Sequence, residues 1–325
     1  MDGAIVVRET GGPEILEWGT LDPGEPGPGE VLVRHTAVGL NFIDVYHRTG
    51  LYPLDPPFTP GVEGVGRVEA TGEGVDDLEV GARVAYTSNG PVGSYREGRV
   101  LDRDRLVQLP DGIPDETAAA VMVKGATVEY LVRRTYPVQK GDYVLLTAAA
   151  GGVGLIACQW LRALGAVVIG TVGSEEKGGL ARANGCDHVI LYRTEDIAER
   201  VREITGGQGC AVAYDSVGQS TFEASLDSLA KRGMMVSFGN ASGPVDPLSP
   251  LTLTRKGSLF LTRPTVAHYY GTREEVEDGL GALFDMILEG HIEPHIGARY
   301  ALRDVADAHR ALENRQTVGS TILLV

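Results

Sequence analysis

Apolar positions in the first 122 residues come in short runs. Residues 31–38 (VLVRHTAV), 65–70 and 82–86 have strand length and are rich in valine. Gly/Pro clusters such as 23–29 (PGEPGPG) separate them. That texture predicts an antiparallel, barrel-like β unit. Between residues 123 and 265 the pattern changes. Apolar runs at 143–147, 167–172, 188–192 and 212–215 each precede a helical stretch, at 153–164, 175–184, 195–205 and 219–230. Further strands are expected at 234–238 and 258–262. Six short strands with crossover helices predict a doubly wound parallel sheet. Gly165 and Gly185 fall where a helix end takes the left-handed conformation. In the tail, Thr272 and Glu275 form a T-x-x-E capping box for a helix ending at Gly290. A second helix is expected at 305–313. The apolar end, 321–325, reads as a strand returning to the first unit. The fold class is therefore α/β, with one domain over 123–265 and a mostly β domain built from 1–122 and 266–325.

Composition sharpens this picture. The chain has 325 residues, 43% apolar and 22% charged, enough for two cores. Residues 143–161 lack charge over a span length, but Gly151, Gly152 and Gly154 interrupt them, so a buried strand–turn–helix is expected and no membrane segment. Against 29 Lys plus Arg stand 44 Asp plus Glu, a net charge of −15. No basic run offsets it, which argues against nucleic acid and anionic lipid as partners. The 3 cysteines, at 158, 186 and 210, are too few and scattered for a disulfide framework. They suit a reducing, cytoplasmic setting, and no export signal is expected at the start.

The strongest chemical signal is Ala149-Ala150-Gly151-Gly152-Val153-Gly154, which follows a strand and opens a helix. This is the context of a dinucleotide fingerprint, although Ala149 replaces its first glycine. The glycines let the backbone approach a pyrophosphate, and the helix N-terminus offers free N–H groups. The second strand ends in Gly173-Ser174 with no acid to hold a ribose 2′-hydroxyl. Lys177 can supply charge to a 2′-phosphate, and Tyr192 closes the third strand. NADPH is thus expected over NADH. No C-x-x-C or four-ligand cluster exists, so no metal site is expected. His291 and His295 are four apart, but Pro294 between them argues against a helical pair. A G-x-S-x-G nucleophile elbow is missing.

The chain resembles the zinc-independent quinone oxidoreductases of the medium-chain dehydrogenase/reductase superfamily, end to end. The matching segments are Gly39-Leu40-Asn41-Phe42-Ile43-Asp44 with Tyr46, Thr49-Gly50-Leu51-Tyr52-Pro53, and Lys124-Gly125-Ala126-Thr127 with Tyr130-Leu131. They continue through 148–159 (AAAGGVGLIACQ), Asp215-Ser216-Val217-Gly218, Ser237-Phe238-Gly239-Asn240, and Lys256-Gly257-Ser258 with Thr262-Arg263-Pro264. The resemblance implies an NADPH-dependent enzyme, a GroES-like catalytic domain split around a Rossmann domain, and a homodimer. Zinc-dependent cousins carry Cys at the position of Asn41 and Gly-His-Glu where this chain has Gly61-Val62-Glu63. Glu129 stands where relatives often have an aromatic residue or His.

By the same resemblance, Asn41, Tyr46 and Tyr52 lie near the substrate, and Asn41 also touches the cofactor. Lys124, Thr127 and Tyr130 line the nicotinamide side. Gly152 and Val153 meet the pyrophosphate. Gly173, Ser174, Lys177 and Tyr192 hold the adenosine phosphate. Ser216, Phe238, Asn240, Arg263 and Arg315 complete the cofactor set. A quinone accepts hydride without a Lewis acid, and its developing phenolate needs a hydrogen-bond donor, which Asn41, Tyr46 or Tyr52 can be. Asp44 reads better as a helix-capping carboxylate than as a general acid. Two other readings stand beside quinone reduction. One is an enone or enoyl-thioester reductase of the same superfamily. The other is a non-catalytic NADPH-binding protein, crystallin-like or RNA-binding. The charge argues against RNA, and the intact Asn41/Tyr46/Tyr52 set argues against a dead site. The uncharged run 258–262 falls last in the Rossmann half, so it is the expected sheet edge through which two copies pair.

Overall fold

A computed structural model describes residues 1–325. Two compact units form, one of Met1–Ala126, Tyr269–Glu289 and Pro294–Val325, the other of Thr127–His268 and Gly290–Glu293. The first begins with β1 (Asp2–Val6) and β2 (Glu17–Leu21), paired antiparallel. It continues through β3 (Glu30–Leu40), α1 (Phe42–Thr49), β4 (Gly64–Thr71), β5 (Arg83–Tyr86), β6 (Gly98–Asp102), β7 (Val107–Gln108) and α2 (Asp115–Glu129), whose last three residues belong to the second unit.

The second unit follows with β8 (Tyr143–Leu146), α3 (Gly152–Leu164), β9 (Val167–Val172), α4 (Glu175–Ala183), β10 (His188–Leu191) and α5 (Ile197–Ile204). Then come β11 (Cys210–Asp215), α6 (Phe222–Asp227), β12 (Leu229–Ser237), α7 (Pro250–Arg255) and β13 (Phe260–Thr262). The chain closes with α8 (Val266–Tyr269), α9 (Arg273–Leu288), β14 (Ile296–Ala301), α10 (Val305–Glu313) and β15 (Ser320–Leu324).

In the first unit, β3 is the hub. It pairs antiparallel with β4, β6 and β15. Two register shifts against β4, at Leu32/Val33 and His35/Ala37, bend it. Val31 and Val33 therefore feed one core with Val68, Val84 and Leu101, while Val38 and Leu40 feed another with Ile5, Val305 and Leu323. The C-terminal strand does return to this sheet, with Leu323 opposite Val38.

In the second unit the strand order is β10-β9-β8-β11-β12-β13, all parallel. In sequence order that is 3-2-1-4-5-6, the doubly wound arrangement expected. Val144, Leu145 and Leu146 are all buried, as helices on both faces require, so the run is continuous rather than alternating. The helix expected over 219–230 is shorter, because Leu229 leaves it to pair with Cys210 at the start of β12. The sequence pattern does not reveal α2. Ala118 to Met122 are buried all round, so no polar face marks its period. It runs into a π-helical turn, Tyr130–Thr135. Here buried Glu129 pairs with Arg133 and Arg134.

No helix is long and apolar enough to cross a membrane. Residues 143–161 fold as β8, a turn and most of α3. His291 and His295 lie outside helices. All three cysteines are buried free thiols, and burial pushes Cys210 up to about 12.

Candidate active site

In the second unit the residues read as cofactor-binding collect at the C-terminal ends of the parallel strands. Gly152 and Val153 open α3 after β8, with Gly151 as its N-cap. Gly173 and Ser174 follow β9, Tyr192 follows β10, Ser216 follows β11, Phe238 and Asn240 follow β12, and Arg263 follows β13. Ligands of open α/β sheets bind along this edge, and the strand order reverses between β8 and β11. The fingerprint loop is tight. A Cβ on Gly154 would collide with the Ala148 carbonyl oxygen and come within 2.7 Å of that of Ala149. Alanine at 149 is tolerated because it is buried against β9 instead, its N–H donating to Thr171 O at 3.1 Å. Ser174 caps α4 by accepting the Lys177 N–H at 3.4 Å. A Cβ on Gly173 would meet the Tyr192 hydroxyl at 2.8 Å, so these two residues are neighbours. Arg263 donates to Gly239 O at 3.2 Å, fixing the loop that carries Phe238 and Asn240. The 13-residue α3 opens on Gly151 and Gly152 with no side chain capping its first N–H groups, which leaves them available to an anion. These residues fit a dinucleotide.

The first unit holds a buried polar cluster. Asn41 is the N-cap of α1, and its N–H donates to Asp44 Oδ2 at 2.8 Å. Asp44 is therefore a capping carboxylate. Tyr95 also donates to Asp44 Oδ2, at 2.8 Å. Burial pushes Asp44 up to about 7, and Glu63 adds to the shift, while its two hydrogen bonds and Lys124 oppose it. Behind Tyr95 stands His309, with Nε2 at 3.4 Å from the hydroxyl. Arg48 faces the other ring nitrogen at 3.5 Å and pairs with Glu313 at 2.7 Å. Burial lowers His309 to about 3, so it is neutral.

Glu63 ties the cluster to the sheet. It is fully buried, just ahead of β4. Its Oε1 accepts from Asn41 Nδ2 at 2.6 Å, and its Oε2 accepts the Val123 N–H at 2.6 Å. Lys124 Nζ lies 3.6 Å from Oε1. One amide hydrogen of Asn41 is thus committed to Glu63. α1 also carries an aromatic row. Phe42 and Tyr46 rings are 6.2 Å apart, and Tyr46 and Tyr52 meet edge-on at 5.2 Å. The Tyr52 N–H donates to Tyr46 O at 3.0 Å, which fixes the loop after α1.

Asn41, Lys124, Tyr46 and Tyr52 thus fall on one cluster, its helix and the loop that follows. Thr127 and Tyr130 lie on the second unit's part of α2 and the turn after it. Arg315 follows α10 in the left-handed region, at φ 58°. No group of three or more His, Cys, Asp or Glu is placed to hold a metal ion. Sequence reading does not single out Glu63, Tyr95 or His309 as functional. For Glu63 a signal exists, an acid between Val62 and the apolar start of a strand.

Comparison with known proteins agrees with this layout. Residues 27–111 match the alcohol dehydrogenase GroES-like domain, and residues 152–284 match the zinc-binding dehydrogenase family. A quinone oxidoreductase from Pseudomonas aeruginosa is 53% identical over 97% of both chains. The chain belongs to the quinone oxidoreductase family of the medium-chain dehydrogenases/reductases. The crystal structure of Escherichia coli quinone oxidoreductase complexed with NADPH superposes with a TM-score of 0.97, at 44% identity, covering 99% of this chain and 100% of that one. A 2-haloacrylate reductase from a Burkholderia species is 45% identical, over 99% of this chain and 98% of its own. Full coverage in each case means that both units are shared with the family, not the nucleotide fold alone.

Proposed function

We propose that this protein is an NADPH-dependent quinone reductase. The observation that carries the reading is the pairing of a dinucleotide cradle with a buried donor cluster in one chain, supported by the full-length likeness to quinone oxidoreductases. Gly152 and Val153 would hold the pyrophosphate, and Gly173, Ser174, Lys177 and Tyr192 the adenosine phosphate. Thr127, Tyr130, Ser216, Phe238, Asn240, Arg263 and Arg315 would complete the hold, with Lys124 on the nicotinamide side, where the acceptor enters. When bound, NADPH supplies the hydride. The protein's tasks are to orient the acceptor, exclude water and meet the charge that develops on its oxygen. Tyr46 and Tyr52 give a flat quinone an aromatic surface. Asn41 keeps one amide hydrogen for the acceptor oxygen.

A turnover panel of 1,4-benzoquinone, larger quinones and enones, with NADPH oxidation followed, tests this. Enone reduction without quinone reduction would favour the second reading, a C=C reductase, which the likeness to a 2-haloacrylate reductase supports.

Cofactor choice has its own test. The β9–α4 turn carries Ser174 and no acid, and Lys177 is half-buried beside it. Lys177→Ala is expected to raise the KM for NADPH tenfold or more, since a charge-assisted hydrogen bond is worth about 1.5–3 kcal/mol. The KM for NADH should hardly move. Equal effects on both cofactors would remove the assignment.

We further propose a homodimer through β13. This strand ends the sheet, and Phe260 is 57% and Leu261 39% exposed. An uncharged edge with open N–H and C=O groups recruits a partner strand. Phe260→Lys puts like charges opposite each other near a two-fold axis. Light scattering should then show a monomer where the parent is a dimer. A parent chain that is monomeric at micromolar concentration would rule the interface out.

A further inference from the structure

We propose that the Lys124 ammonium is the cation that faces the substrate oxygen on which negative charge develops, and that Glu63 is the positioning residue that holds it there. This deepens the quinone-reductase reading and rests on it.

Lys124 is only 5% exposed, and its Nζ has no hydrogen-bond acceptor in the protein. The Glu63 oxygen at 3.6 Å is an ion-pair neighbour beyond hydrogen-bonding reach. Three N–H donors are thus held in a low-dielectric cluster without an acceptor, an arrangement that is costly unless something else accepts from them. The charge of Glu63 is meanwhile spread over two short hydrogen bonds, from Asn41 Nδ2 and from the Val123 N–H, both 2.6 Å. The carboxylate anchors the ammonium without consuming its donors. It also fixes Asn41 and Lys124 on one oxygen, so the amide and the ammonium converge on one place. Hydride addition to a quinone turns one carbonyl oxygen into a phenolate, and a preorganised cation there acts on the transition state more than on the neutral substrate. Asp44, the other carboxyl of the cluster, takes both its hydrogen bonds, from Tyr95 and the Asn41 N–H, on Oδ2; its buried Oδ1 accepts none, from Lys124 or any other donor.

The test uses Lys124→Met and Lys124→Arg in the full chain, with three readouts. The first is NADPH affinity by fluorescence titration, which also reports folding; Lys124→Gln replaces the Met variant if that does not fold. The second is kcat and KM with 1,4-benzoquinone. The third is the visible titration of 4-nitrophenol bound to the protein, a stand-in for the phenolate product. The Met variant is expected to keep its NADPH affinity and to lose about a hundredfold in kcat, the scale of one oxyanion donor. It should also shift the ionisation of bound nitrophenol to higher pH. The Arg variant, which keeps the charge, should recover much of both. Weakened NADPH binding with kcat unchanged would assign Lys124 to the cofactor and overturn the proposal. Unchanged nitrophenol ionisation in the Met variant would overturn it as well. If the parent protein reduces no quinone, the quinone-reductase reading fails separately, and the nitrophenol titration still decides what Lys124 faces.

Discussion

Asp215→Ala is expected to destabilise the second unit severely. Asp215 ends β11, fully buried, and its two oxygens collect the loop that follows. They accept the Val217 N–H at 2.8 Å and the Gly218 N–H at 3.0 Å. They also accept from Thr221 Oγ1 at 2.7 Å, from Ser225 Oγ at 2.8 Å and, more weakly, from Thr147 Oγ1 at 3.4 Å. Alanine removes every acceptor at once and leaves buried donors behind. Each such donor costs about 1–3 kcal/mol, less what relaxation recovers. A net loss of about 3–5 kcal/mol is expected, read as a fall in Tm of about 10 °C or more in a thermal melt. NADPH affinity should fall with it, because Ser216 sits on the collapsed turn. Thr221→Val removes one donor together with its need for a partner, so it should cost far less. Similar melts for both variants would show that the carboxylate is not the organiser.

Gly39→Ala is the second large effect, and it strikes the other unit. Gly39 lies near the end of β3, opposite Ile322 of β15. A Cβ there would lie inside the Glu63 carboxylate and 2.7 Å from the Ala119 carbonyl oxygen. Glu63 cannot swing aside, because Asn41 and Val123 hold its two oxygens. Overpacking of this kind costs about 1–3 kcal/mol. The larger consequence is displacement of the Asn41–Glu63–Lys124 group. Quinone turnover should drop by an order of magnitude or more, while the nucleotide site in the second unit keeps its NADPH affinity. Wild-type kcat in this variant would mean that the backbone yields and the carboxylate stays in place.

The two halves of the chain are not equally legible. In the second unit each strand is short, apolar and closed by a turn residue, so the pattern places 167–172 to the residue and 143–147 to within one. Local pattern and tertiary role agree there. α2 stays hidden because burial on all sides erases the contrast that periodicity needs. The boundary between α6 and β12 is misplaced because Leu229 is equally good in a helix or a buried strand, and pairing with β11 decides it. In the site, residues that carry recognisable motifs, such as Asn41 and Lys124, can be read from the chain. Glu63 stands out only as part of a motif without ligands. Its partners, at positions 41, 123 and 124, are distant in the chain, and no local pattern reports a contact across some sixty residues. Asp215 reads as part of a motif, but its five donors converge on it only once the turn has closed.

The burial of the three thiols bears on how long such an enzyme survives its own work. Quinones are electrophiles that add to thiolates, and any exposed low-pKa cysteine near the acceptor would be arylated in time. Cys158, Cys186 and Cys210 are all buried; Cys158 and Cys210 are pushed above the ordinary thiol range, while Cys186, lowered by its hydrogen bond with Cys158, is kept from electrophiles by burial alone. All three lie in the nucleotide unit, and the first unit, with its aromatic row and donor cluster, contains no cysteine at all. A catalyst assembled this way can meet a reactive acceptor turnover after turnover without becoming its target.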